Sequence, residues 1–211
     1  MSTTLILVRH GQTAWNKEER FRGRTDLPLN ETGVRQAEAV ARRIAAEYRP
    51  AAVYTSPLKR AVQTAEAIAR LFNLNVQPHE GLLDLDYGDF AGLSPAEAEV
   101  QFPELYRTWL SAPHHVRFPH GESLSDVRVR SENLVYQLIE LYPNKSVVLV
   151  SHLIVCRVLL CSLLGLHEGH ILCFQVDTAS LTVFEADRRQ ARLITANDIC
   201  HLKADADVKI A

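Results

Sequence analysis

The chain has 211 residues, 47% of them hydrophobic and 23% charged, with a formal net charge of −2. That length allows one sizeable core, so a single domain spanning 1–211 is expected. The balanced charge argues against nucleic acid as a partner, and no apolar run reaches the roughly 20 residues of a membrane span.

Leu5-Ile-Leu-Val at the start reads as a strand buried on both faces, and it delivers Arg9, His10 and Gly11 into a turn. Thr13 to Glu19 reads as a short helix, followed by an arginine-dense loop from Arg20 to Leu29. Asn30 or Thr32 can cap the next helix, in which Val34, Ala37, Val40, Ala41 and Ile44 recur at helical spacing before Pro50. Ala51 to Thr55 is a second short strand. Ser56-Pro57 then reads as the cap and first turn of a helix carrying Arg60, with Ala61, Ala65, Ile68 and Leu71 toward the core. A β-like piece at Leu74 to Gln77 precedes the carboxylate-rich segment Glu80 to Phe90. Ser94-Pro-Ala-Glu97 has the form of a capping box and opens a helical insertion running to about Ser111.

Ala112 to Glu122 is irregular. Its His114, His115 and His120 lack helical ligand spacing and a companion cysteine, so no metal is expected. Ser123 to Tyr142 reads as a long amphipathic helix, and Ser146 to Ser151 as another buried strand ending at His152. A helix from Leu153 to Leu164 stops at Gly165. Alternation in Phe174 to Val176, Ser180 to Phe184 and Arg192 to Ala196 suggests antiparallel or edge strands, and the chain from Lys203 reads as a frayed terminus. The apolar tail strands are compatible with a homodimer. Cys156, Cys161, Cys173 and Cys200 form no C-x-x-C pair, and the first two sit in a leucine-rich stretch as expected buried thiols. Together with an N-terminus that shows no basic leader, they make a reducing, cytoplasmic setting the expectation.

Three apolar strands thus hand over polar residues at their carboxyl ends, near His10, Ser56 and His152. Strands of βα units run parallel and place those ends on one edge of the sheet, where ligands bind. Arg9, Arg60, His10 and His152 would repel one another in one crevice unless a dianion sat between them, and phosphate is the obvious candidate.

The residues that make up this pattern resemble the signature of the histidine phosphatase superfamily, the phosphoglycerate mutase-like proteins. The matching stretches are Leu7-Val-Arg9-His10-Gly11-Gln12-Thr13 with Trp15-Asn16, Arg22-Gly23-Arg24-x-Asp26-x-Pro28-Leu29, Ser56-Pro57-Leu58-x-Arg60-Ala61-x-Gln63-Thr64-Ala65, Val150-Ser151-His152 and Cys200-His201-Leu202. They occur in the family's order and cover nearly the whole chain.

The resemblance implies a three-layer α/β/α sandwich around a mostly parallel sheet, with a lid formed by about 91–121. It also implies that His10 is a nucleophile forming a phosphohistidine, that Arg9, Arg60 and a charged His152 hold the phosphoryl oxygens, and that Gln12, Asn16, Arg22 and Gly23 line the pocket. Tyr87 is a further candidate for substrate contact. No cofactor is implied. The family's glutamate proton donor is replaced by Asp84, with Asp86 and Glu80 as fallback acids. Ala91 precedes Gly92 where the family usually has glutamate, and Leu153 stands where glycine often follows the histidine.

The function implied is hydrolysis of phosphomonoesters among small phosphorylated metabolites. The alternatives are a bisphosphoglycerate-dependent phosphoglycerate mutase and a catalytically weak phospho-ligand binding protein. The insertion has only Arg107 and Arg117, with no paired arginines of the kind a mutase needs, which favours the phosphatase.

Overall fold

The structure, a computed structural model, describes residues 2–17 and 20–203. The frayed terminus and the end of the first short helix, expected to reach Glu19, lie largely outside the described residues.

Six strands form one sheet in the order β3-β2-β4-β1-β5-β6. They are β1 (Thr3–Arg9), β2 (Pro50–Thr55), β3 (Val76–Pro78), β4 (Ser146–Ser151), β5 (Leu181–Ala186) and β6 (Ala191–Asp198). The first four run parallel, β5 runs antiparallel to β1 and β6 antiparallel to β5, so the mostly parallel sheet is as expected. Side chains alternate across the pleat and feed two cores. Ile6, Val8, Val53, Val148 and Val150 pack under α2 (Glu31–Glu47) and α3 (Lys59–Arg70). Leu5, Leu7, Ala52, Val147 and Leu149 pack under α6 (Leu124–Leu141) and α7 (Leu153–Leu163). These are the three layers of an α/β/α sandwich. Short helices complete it: α1 (Ala14–Lys17), α4 (Pro95–Gln101), α5 (Pro103–Ser111) and α8 (Cys200–Lys203). Cys156 and Cys161 are buried free thiols in α7.

Several local expectations need correction. Ser56 does not cap α3: the helix starts at Lys59, whose backbone N–H is taken by Asp26 Oδ1 at 2.7 Å from the arginine-rich loop. Leu71 and Val34 are about half exposed, because Leu71 caps the end of α3 and Val34 lies on the outer face of α2. Asn30 caps α2, accepting from the Gly33 N–H. Phe174 to Val176 is not a strand, because its carbonyls serve arginine side chains: Phe174 O accepts from Arg157 and Val176 O from Arg9. The insertion's helix is broken in two at Phe102, since Pro103 lacks an N–H and excludes helical geometry before it.

The insertion is tied to the Glu80–Phe90 segment by aromatic rings. Phe90, wholly buried, stacks on Phe102 at 4.7 Å and meets Phe118 edge-on at 5.1 Å. Tyr87 meets Trp109, Phe118 and Phe21 in the same edge-to-face manner.

Candidate active site

The carboxyl ends of β1 and β4 are neighbours in parallel register, with Arg9 opposite Ser151. The His10 N–H donates to Ser151 O at 2.9 Å, which brings His10 beside His152 with ring centroids 5.1 Å apart. The turn after His10 lies against the start of α2, where a Cβ on Gly11 would sit 2.5 Å from Gly33 O. Gly11 is therefore required by close approach, with no left-handed backbone involved.

The two rings differ in tautomer. His10 Nδ1 lies 2.6 Å from Gly11 O, a group that only accepts, so Nδ1 carries the proton and Nε2 presents its lone pair. His152 Nδ1 lies 3.2 Å from Arg60 Nε, a group that only donates, so its proton is on Nε2. Burial, then Arg60 and Arg9, holds the His10 pKa well below 6.5, and burial with Arg60 does the same at His152. Both rings are thereby biased toward the neutral form. The neutral His152 ring still offers an Nε2–H donor.

Arg60 is wholly buried and spends its fork on Thr25 O, Gly23 O, His152 Nδ1 and Asp84 Oδ2, the last at 3.1 Å. Arg9 donates to Val176 O at 2.7 Å, and burial followed by the Arg22 charge lowers its pKa to about 10. Asp84 is almost fully buried. Burial pushes its carboxyl pKa up against the opposing pull of Arg60 and Arg22. Among the described residues, Arg9 Nε, Arg22 Nε and His152 Nε2 are buried N–H donors with no partner. Such orphans are costly in a folded protein and mark a place prepared for an acceptor-rich ligand.

Arg9, His10, Asn16, Arg22, Asp84 and Tyr87 line one cavity of about 350 Å³. Arg60 and His152 lie behind this wall and reach it through Asp84 and His10. The expectation that Gln12 and Gly23 line the pocket is not met. Gln12 binds the start of α2 through Gln36 and Asn30, and the Gly23 carbonyl orients Arg60. Both support the wall from outside because their bonds to Gln36, Asn30 and Arg60 consume them. Arg20, Phe21, Pro95, Leu153 and Ile154 also line the cavity. The arginine-dense loop and the bulk of Leu153 pointed toward three of them. Pro95 comes from the insertion, and no sequence signal placed it there. Arg20 joins the cavity wall to the insertion, donating to Gly92 O at 2.7 Å and pairing with Glu97 at 3.2 Å.

Comparison with known proteins gives a consistent result. The sequence profile of the histidine phosphatase superfamily (branch 1) matches residues 5–199. Phosphoserine phosphatase 1 of Hydrogenobacter thermophilus is 35% identical over 198 residues, covering 94% of this chain and 93% of its own. The solved structure of Bacillus stearothermophilus YhfR superposes with a TM-score of 0.89 at 30% identity, covering 94% of this chain and 98% of that one. A phosphoserine phosphatase variant of Entamoeba histolytica in complex with phosphoserine superposes with a TM-score of 0.85 at 29% identity, covering 95% and 99%.

Proposed function

This chain belongs to branch 1 of the histidine phosphatase superfamily, and on that premise we propose that it is a phosphomonoester hydrolase. It acts on small phosphorylated metabolites through a phosphohistidine at His10. The observation that carries the reading is the His10 tautomer. The Nδ1–H bond to Gly11 O leaves a neutral Nε2 lone pair at a cavity wall that also holds Arg9, Arg22 and Asp84.

In the first step Nε2 attacks phosphorus, forming the P–N bond as the ester P–O bond breaks. Asp84 gives its proton to the departing oxygen, a role supported by its raised pKa. Arg9 and Arg22, which line the cavity, satisfy the phosphoryl oxygens with donors otherwise orphaned, while His152 supports His10 from behind. In the second step Asp84 takes a proton from water, whose oxygen attacks phosphorus. The P–N bond breaks and phosphate leaves with His10 and Asp84 restored.

Mutase chemistry needs further cations for the second charged end of the substrate. Arg117 pairs with Asp126 at 2.8 Å, Arg107 Nε donates to Pro103 O within its own helix, and neither lines the cavity. Phosphatase is the better reading, and the names of its relatives put phosphoserine among the substrates to test. A cytoplasmic setting is supported by four free cysteines. Among the described residues no helix is long and apolar enough to cross a membrane.

The test is phosphate release from an aryl phosphate and from phosphoserine, phosphoglycerates and sugar phosphates, with EDTA present. Turnover that vanishes in His10→Ala supports the reading. Absence of turnover by the pure protein favours the binding-protein alternative. Fast conversion of 3-phosphoglycerate to the 2-phospho isomer with a trace of the bisphosphate favours the mutase.

A further inference from the structure

Asp84 sits on an extended segment with little regular structure of its own, between 3-10 turns at Glu80–Leu82 and Gly88–Phe90. A proton donor must nevertheless be held to within a fraction of an ångström, since a misplacement of about 1 Å can cost roughly 100-fold in rate. The segment's backbone is held by a polar cluster that lies outside the cavity. Arg130, on the second turn of α6, uses every donor of its guanidinium. Nε and Nη2 form a two-pronged bond with Glu122 at 3.0 and 3.1 Å, Nη2 also donates to Asp84 O at 3.1 Å, and Nη1 donates to Gly81 O and Glu80 O.

Glu122 is saturated in turn. Its Oε1 also accepts from Arg24 Nη2, and its Oε2 from the Asp86 N–H at 3.1 Å. The Glu122 N–H returns a bond to Asp86 O at 2.9 Å. The Arg130 and Glu122 side chains are only 19% and 17% exposed, so this pair is better shielded from water than a surface ion pair. The backbone is close-fitted as well, since a Cβ on Gly81 would come within 2.9 Å of Arg130 O. Neither residue lines the cavity.

We propose that Arg130 and Glu122 are positioning residues that fix the Asp84 carboxyl against the leaving-group oxygen by clamping the carbonyls and N–H groups on either side of it. This rests on the reading of Asp84 as the proton donor. The clamp acts on Asp84 from behind. Arg60 holds its Oδ2 and the Leu85 N–H its Oδ1, but both bonds have the intended direction only if the Asp84 backbone is where Arg130 keeps it. Lysine in place of Arg130 would keep the charge and lose the clamp, because one ammonium cannot span three carbonyls and a carboxylate.

The leaving group reads out this role. A dinitrophenolate departs without a proton, whereas the alkoxide of glycerol 2-phosphate needs one. The experiment compares kcat/KM for these two esters in wild type, Arg130→Met, Arg130→Lys, Glu122→Gln and Asp84→Asn, because kcat/KM reports steps up to loss of the alcohol. Any unfolded fraction cancels from the ratio of the two substrates in one preparation. Arg130→Met is expected to lose about 100-fold on the alkyl ester and less than about threefold on the dinitrophenyl ester. Glu122→Gln and Arg130→Lys are expected to show the same selective loss, smaller for glutamine.

Equal losses on both esters in the Arg130 variants, or rescue by lysine, overturn the clamp if Asp84→Asn still loses the alkyl ester selectively. If Asp84→Asn spares the alkyl ester, the proton-donor reading itself fails and the clamp falls with it.

Discussion

A histidine ring attacks only through the nitrogen that lacks a proton, and at His10 one carbonyl makes that choice. The Gly11 bond at 2.6 Å fixes the hydrogen on Nδ1, while burial and the neighbouring guanidinium groups keep a second proton off Nε2. A nucleophile with so low a pKa stays active well below pH 6.5, whereas Asp84 must keep its proton to serve as acid. The kcat/KM of alkyl phosphates is therefore expected to fall as pH rises through the Asp84 pKa, and that fall is expected to be absent in Asp84→Asn measured on a dinitrophenyl ester. Arg60 touches Asp84, His152 and two carbonyls at once, so Arg60→Met is expected to lower kcat/KM by at least about 100-fold, since it releases several groups from their geometry together. Which residue types meet at the site was legible in the sequence, because Arg9, His10, Arg60 and His152 each follow a recognisable strand. Their proton positions were not, since these depend on Gly11 O and Arg60 Nε, contacts that spacing does not encode. The same holds for Gln12 and Gly23, which the pattern assigned to the pocket and the backbone network uses as scaffold.

The site depends on how closely elements approach one another. The start of α2 presses on the nucleophile turn, so a Cβ added at Gly33 would lie 2.1 Å from Gln12 O. Gly33→Ala is expected to displace that turn, with a loss of about 2 kcal/mol or more by urea denaturation and a matching fall in turnover, because the contact is backbone against backbone and cannot relax by a rotamer change. Nothing in the helical periodicity around Gly33 marks it. The ring packing that joins the insertion to the Asp84 segment centres on Phe90, and Phe90→Ala is expected to cost about 3–5 kcal/mol. Helices and central strands were readable from their apolar periods. The start of α3 was misread because its first backbone N–H is taken by Asp26, 33 residues away in sequence. The false strand at Phe174 to Val176 has the same origin, since arginine side chains claim its carbonyls.

At the scale of the whole molecule, a parallel sheet gathers the carboxyl ends of β1, β2 and β4 at one edge, and the charge buried there works against stability until a ligand arrives. Both site histidines have folded pKa values below 6.5, so the unfolded chain takes up protons first as pH falls. The histidines' contribution to stability is accordingly full above about pH 6.5 and declines below it, by up to about 1.4 kcal/mol per pH unit for each ring, with Asp84 acting in the opposite sense. Thermal unfolding is expected to show this decline, and inorganic phosphate or vanadate is expected to raise the midpoint by meeting the orphaned donors. At 100 times its Kd the gain is about 2.7 kcal/mol. The α/β/α architecture was legible because βα units leave few alternatives. The aromatic attachment of 91–121 was not, because it joins residues far apart in the chain. The most direct test of the account is to mix the protein rapidly with an aryl phosphate, quench at alkaline pH and map phosphorylated peptides by mass spectrometry. A phosphoryl group on His10, formed at the rate of the burst of aryl alcohol and absent from His10→Ala, is the predicted result. Turnover with no phosphoryl group on His10, or with the group on another residue, would contradict it.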